Sequence, residues 1–502
     1  MASVSSPVNP QADSHLTKVP IEIVDRITKY ISTKDLGNVR LSCRGLENAT
    51  FPFFSREFFT KKQFMGYTIS LQALVDIANH ETLAPCLKHV ILSTDRFEGR
   101  GYHSFQGIRL DDAQYQALQL ARADHENLMA AGGLRDMLVE AFSKLPNLKT
   151  VDIRDFNSRS RTRDGGQWTS WGSTTLTEAI GFEPAPRPGP GLGVQFWINY
   201  PSQLFSAVTA ALAASQARPE SIELVLRSSS VSDHAFFIPQ RILPSLIPVL
   251  SGLKQLHLVL APHSPLNNSN IGKFLQHTPN LTWLRLNFQS TLNPENSENL
   301  FARLSRSDAD NANHITLQHL EQLDLGSLTI NPKVLVHLVA SFAPNLRTLS
   351  FRRVKLVGRA EDHNNTDINT WAKLFSKLAL VDGLDIRKLQ VSHLDHGFGP
   401  VSFGAKRSGY RQGAVLEQTY EGQSTQDVVA QVVADVTPFW PHLPDDDEDE
   451  DEDDSLADDD EDNDENDDEA DGDGDGMAIN DDQADNDHQG EDDEMQDEDI
   501  VE

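Results

Sequence analysis

The amino-acid sequence predicts an α/β protein. A small helical unit comes first, then a long series of helix–strand units sharing one parallel sheet, then a disordered acidic tail. Three observations predict this. An apolar template at i, i+3 and i+5 recurs through the middle of the chain. Amphipathic helical stripes precede several of its copies. Thirty-five Asp and Glu, with no Lys or Arg, crowd into 445–502. The expected boundaries are 1–14 for a disordered N-terminus, 15–60 for the helical unit, 61–440 for the helix–strand body and 441–502 for the tail.

Locating the charge matters before using it. The formal net charge is −32, but outside the tail 40 acids face 43 bases. The body is nearly neutral, so an acidic substrate channel is not implied. The two cysteines, Cys43 and Cys86, imply no disulfide framework and fit a reducing compartment. The first residues lack an apolar core of signal-peptide length, and no run of roughly 18 apolar residues exists. The expected location is intracellular, in cytoplasm, nucleus or both, and no membrane or direct nucleic-acid partner is expected.

In the N-terminal unit, Pro20 suits a first helical turn, where its missing N–H is not needed. Ile23, Ile27 and Ile31 recur at i, i+4 and i+8, with Val24 and Tyr30 widening the stripe. "STKD" offers a hydroxyl cap with Asp35 placed as in a capping box. Leu36, Val39 and Cys43 make the next stripe, and Leu41 and Leu46 add apolar area outside it. A third helix is expected from about Arg44 towards Phe51. A unit of about 40 residues rarely supports itself. Its apolar surface is therefore expected either to cap the following body or to dock a partner.

The segment resembles an F-box. The family pattern is Leu-Pro-x-Glu, apolar pairs through a first helix, Asp-Leu opening a second, then Arg-apolar-x-Cys-basic. Here Pro20, Glu22, Ile23, Val24, Ile27, Tyr30, Ile31, Asp35, Leu36, Val39, Arg40, Leu41, Cys43 and Arg44 stand in that register, with Val19 and Ser42 departing from it. The resemblance covers about 40 of 502 residues. It implies docking on a Skp-type adaptor, and through it on a cullin, by a face made of Val19, Pro20, Ile23, Ile27, Ile31, Leu36, Val39 and Cys43.

The body repeats the template at Leu87/Val90/Leu92, Leu148/Val151/Ile153, Leu253/Leu256/Leu258, Leu281/Leu284/Leu286, Leu320/Leu323/Leu325, Leu346/Leu349/Phe351 and Ile386/Leu389/Val391, and more weakly in "SIELVL" at 221–226. Pro-Asn-Leu introduces three copies. "LRDMLVEAFSKL", "KVLVHLVASF" and "INTWAKLFSKL" supply the helical stripes. Helices alternating with short apolar strands imply a parallel sheet with helices outside it. Middle leucines fall 28, 39 and 26 residues apart between 256 and 349. That period and template resemble an irregular leucine-rich repeat solenoid of the kind in fungal F-box proteins. The family's Asn or Cys, three positions after the last apolar strand residue, is missing. Asp95, Phe156, Ala261, Gln289, Leu328, Val354 and Leu394 stand there instead. Insertions interrupt the array at about 95–130, 155–205 and 287–315.

No phosphate cradle, nucleophile elbow or Cys/His metal spacing occurs, so no catalysis and no cofactor are expected. "HLDHGFGP", with His393, Asp395 and His396, reads as a solvated loop rather than a zinc site. "DGDGDGMAINDD" matches a calcium loop only as its Asp–Gly composition would. Trp168, Trp171 and Trp197 sit in a Gly/Pro-rich insertion, either as recognition anchors or folded back on the body. The tail cannot fold alone, and a tethered polyanion can steer basic proteins. The function expected is substrate receptor of a cullin-type ubiquitin ligase. The repeats would bind a protein substrate of unknown identity, and the chain would be a non-catalytic subunit. The alternative is an acidic-tailed chaperone or scaffold for basic nuclear proteins.

Overall fold

Ten strands succeed one another across a single sheet in the order of the sequence. The computed structural model describes residues 19–97, 110–157, 169–185, 194–261, 270–288, 300–301, 304, 315, 317–357, 369–397, 399–404 and 415–438, of which 194–199 are backbone only. The chain divides into two units, Met1–Pro441 and His442–Glu502, and all described residues belong to the first. Trp168, the side chain of Trp197, the acidic tail and the calcium-loop look-alike lie outside the described residues.

The N-terminal unit is three helices, α1 (Ile21–Thr28), α2 (Thr33–Ser42) and α3 (Arg44–Phe59). The Ser32 hydroxyl caps α2 by accepting from the Asp35 backbone N–H at 3.0 Å. The third helix runs eight residues beyond the expected Phe51, straight through Pro52. An interior proline removes a helical hydrogen bond. Burial of Phe53, Phe58 and Phe59 beyond it outweighs that loss. These rings join Leu36 in the same core as the body, so the helical unit and the helix–strand body share one interior.

Strands β1 (Lys61–Met65), β2 (His89–Ser93), β3 (Thr150–Arg154), β4 (Ser221–Val225), β5 (Gln255–Leu260), β6 (Trp283–Phe288), β7 (Gln322–Ile330), β8 (Thr348–Leu356) and β9 (Lys388–Ser392) are parallel neighbours. Every copy of the template, the weak one included, is one of these strands. Its last two leucine-type residues face the core, in register with their neighbours: Val90 beside Val151, Leu256 beside Leu284, Leu349 beside Leu389. Each such side chain removed from water contributes about 1.5–3 kcal/mol. A sheet built in sequence order, each strand from β1 to β9 paired with the next along the chain, is a solenoid arrangement.

The helices stack in the same order. Along the body run α4 (Thr68–Asn79), α5 (Asp112–Ala130), α6 (Gly133–Phe142), α7 (Ser173–Ile180), α8 (Val194–Ser215), α9 (Leu243–Leu250), α10 (Asn270–Leu275), α11 (Pro332–Ser341) and α12 (Thr370–Leu378). α4 packs on α6, α6 on α8, α8 on α9, and α11 on α12. Two expected insertions are ordered in part. α5 and α7 pack together over a second small core of Met65, Tyr67, Phe97, Leu118, Ala121 and Ile180. The Trp171 backbone N–H donates to the Gln63 carbonyl at 2.8 Å, covering the outer edge of β1.

The far edge closes differently. A short pair, β10 (Val401–Ser402) and β12 (Thr437–Pro438), flanks β11 (Glu417–Glu421), which lies antiparallel on β9. The last helix, α13 (Thr425–Asp435), packs on α12 through Val428, Val429 and Val432.

The missing Asn has a structural replacement. At its position Asp95, Leu328, Val354 and Leu394 are all buried. In β7, β8 and the end of β9, a left-handed residue stands just before it: Ser327 (φ 54°), Arg353 (φ 52°) and His393 (φ 50°). Each shifts the in–out alternation by one, so that the next residue turns back into the core. The "HLDHGFGP" segment is part of this edge rather than a solvated loop. His396 is fully enclosed, and His393 lies 3.2 Å from Glu417. Among the described residues no group of His, Cys, Asp and Glu could hold a metal ion, and no helix is long and apolar enough to cross a membrane.

Candidate docking face and sheet face

Helix α1 and the turn that follows it present two faces. Val24, Thr28 and Ile31 face inward: Val24 and Thr28 are buried, and Ile31 packs against the core. Ile23, Ile27 and Tyr30, spaced i, i+4 and i+7, share the opposite face. They are 45%, 44% and 86% exposed. Ile21 and, on α2, Leu41 are exposed as well, Leu41 at 86%. Ion pairs fix the frame of the unit. Asp25 accepts from Arg56 at 2.9 Å, and the Arg40 guanidinium lies 3.8 Å from the centre of the Phe54 ring.

The residues expected at the docking face separate by location. Pro20 caps α1 and is exposed, as are Ile23, Ile27 and the free thiol Cys43 at the start of α3. Val19 and Val39 are half-buried. Leu36 is 1% exposed and belongs to the interior. Its place on the face is corrected, because a side chain closed inside the unit offers no surface to a partner. Ile31 also turns inward. Ile21, Tyr30 and Leu41 are exposed residues that the face implied by the resemblance leaves out.

The sheet has a second face, opposite the helices, where alternation puts the polar strand residues. Asp152, Glu223, His257, Arg285 and Asp324 form one row across β3 to β7. Asp324 accepts from Arg285 at 3.0 Å and from the Trp283 indole at 2.9 Å. Burial works to raise the Asp152 carboxyl. The His89 ring and the Arg154 cation prevail and hold it below its ordinary value. Burial pulls the His257 imidazole down to about 3, with Arg285 adding to the fall. Its 3.9 Å approach to Glu223 is therefore not an ion pair at neutral pH.

A buried polar knot joins the carboxyl ends of β1 and β2 to α5 and α8. The Gly66 carbonyl accepts from His125 Nδ1 at 2.7 Å, which leaves Nε2 as the unprotonated nitrogen. That nitrogen and the Tyr200 hydroxyl have no hydrogen-bond partner among the described residues. Burial, with the Arg96 cation adding to the fall, drops the His125 ring to about 4. A side chain on Gly66 would meet the Tyr200 hydroxyl at 2.5 Å, so the close approach requires glycine.

No family model matches the chain, and no curated protein matches it. Among solved structures, a chain in the crystal structure of the Rad7 and Elc1 complex in yeast is 14% identical, covering 77% of this chain and 87% of that one, with a TM-score of 0.25. A likeness at that TM-score carries no weight on fold or on function.

Proposed function

We propose that the chain is the substrate-receptor subunit of a cullin-type ubiquitin ligase. The N-terminal helices dock a Skp-type adaptor, the sheet body captures a protein substrate, and the chain performs no chemistry of its own. The observation that carries this reading is the outer stripe Ile23, Ile27 and Tyr30. A cap packed on the body needs only the inner stripe, Val24, Thr28 and Ile31. A second apolar stripe left in water along α1 and the turn after it marks a contact with another protein.

The test is co-purification with a Skp-type adaptor. Wild type is expected to retain it, and Ile23→Asp/Ile27→Asp to lose it with an unchanged thermal midpoint, since both side chains are already outside. Equal retention by the variant would sink the reading. Adaptor-independent capture of basic proteins, lost on removal of 442–502, would favour the scaffold alternative.

A further inference from the structure

Three cations on β8 stand apart from the other charged side chains of the sheet. Arg352 and Arg353 are exposed and Lys355 is half-buried, and none has a carboxylate partner among the described residues. The other Lys and Arg of β2 to β9 each hold one: Arg154 holds Asp152, Arg285 holds Asp324, and Lys388 holds Glu421.

The backbone puts the three on one side. Phe351, Val354 and Leu356 are buried against the helices. With simple alternation Arg353 would join Phe351 inside. Its positive φ instead leaves Arg352 and Arg353 both on the open face, and Lys355 lies there with them. A non-glycine residue in that conformation is strained. Glycine would make the same bend without strain. The bend therefore does not call for an arginine, and the exposed guanidinium has no packing role.

Among the described residues the two arginines are open to a ligand, while Lys355 stands between Thr329 and Asp395, whose carboxylate accepts from the Gly397 N–H at 2.6 Å. The cross-strand neighbours of Arg352 are Gly326 and Ser392, neither charged nor bulky. Ser327 and Asn287 offer neutral hydrogen-bonding groups on β7 and β6. On the other side, Glu417 is engaged with His393 and Ser392, and Glu417 and Glu421 are exposed. An anionic chain would be repelled from β11 and drawn towards β7 and β6.

We propose that the open sheet face at the carboxyl ends of β7 and β8 captures an extended acidic segment of a partner protein, held by Arg352, Arg353 and Lys355. This rests on the reading of the body as the capturing part of a receptor and gives its substrates a chemistry: clustered carboxylates in unfolded chain. Three cations without a carboxylate partner among the described residues, within about 10 Å of strand, match successive carboxylates of such a segment.

The probe is a short fluorescent peptide of alternating Asp and Ser, titrated into the full chain by anisotropy, beside the same peptide with Asn for Asp. The acidic peptide is expected to bind, and to bind more weakly as salt is raised. Arg352→Ser/Arg353→Gly is expected to weaken it at least about tenfold. Arg353→Gly alone is expected to unfold at the same or higher denaturant, which separates lost binding from lost fold. Both variants should still co-purify with the adaptor. Equal affinity for the Asn peptide, unchanged affinity in the double variant, or no binding by wild type would overturn the proposal. So would self-association of the full chain that the double variant abolishes without peptide uptake, since the occupant would then be a second copy. Loss of adaptor capture with peptide binding intact would instead count against the receptor reading.

Discussion

Asp155, just past the end of β3, gathers more hydrogen bonds than its size suggests. Its buried carboxylate accepts from the backbone N–H groups of Arg227, Ser228 and Ser229 at 2.7–3.0 Å and from both serine hydroxyls. This fastens the turn after β4 to the turn after β3. Asp155→Ala strands those donors and is expected to cost about 2–4 kcal/mol, read as a shift in the denaturant midpoint. An unmoved midpoint would mean that water replaces the carboxylate. Leu36 makes a similar case by volume. Leu36→Ala is expected to cost about 2–5 kcal/mol, with adaptor affinity falling only as far as the fold does. Comparing it with Ile23→Asp/Ile27→Asp distinguishes an interior residue from a surface one, a distinction helical spacing cannot make.

At the scale of elements, the strands were legible where both core-facing residues are leucine-like. β2, β3 and β5 to β9 bury them completely or nearly so, and the i, i+3, i+5 template records that burial. β1 was hidden because Lys62 occupies one helix-side position, stacked 4.6 Å from the Trp171 ring. β11 was hidden because only Tyr420 of its five residues is buried. The reach of α3 was hidden by Pro52, whose local rule tertiary packing overrides. The candidate face was half legible. The sequence shows that α1 has too many apolar residues for one stripe, but not which stripe lies inside, because Ile27 and Ile31 are equivalent until the body is in place. The cations of β8 were not legible at all. Reading Arg353 as outward-facing needs its backbone conformation, which no residue type there announces.

For the whole molecule, the buried imidazoles set an acid limit. His125 and His257 have native values of about 4 and about 3, against an ordinary 6.5. Below about pH 6.5 the unfolded chain takes up protons that the native chain refuses. Their contribution is therefore complete above that pH and declines as pH falls towards 4 and then 3. The depressed Asp152 carboxyl adds a further loss below its ordinary 3.8. The raised Asp95 carboxyl, lifted by burial, opposes this between its native value and its ordinary 3.8. The thermal midpoint is expected to fall steadily from pH 7 to pH 4.5, with a shallower slope in His125→Gln. Parallel slopes would exclude the ring as a source.

The two ends of the sheet differ, and the difference concerns how such a molecule can change its length. Every interior junction is parallel strand to parallel strand, so a duplicated helix–strand unit set between β8 and β9 would meet the same neighbours it came from. After β11 it would not. That strand runs the other way and leaves Glu417, Gln418, Thr419 and Glu421 exposed. At the opposite end the Trp171 hook occupies the edge of β1. Repeats can be gained or lost from the middle of this array, while both ends stay fixed.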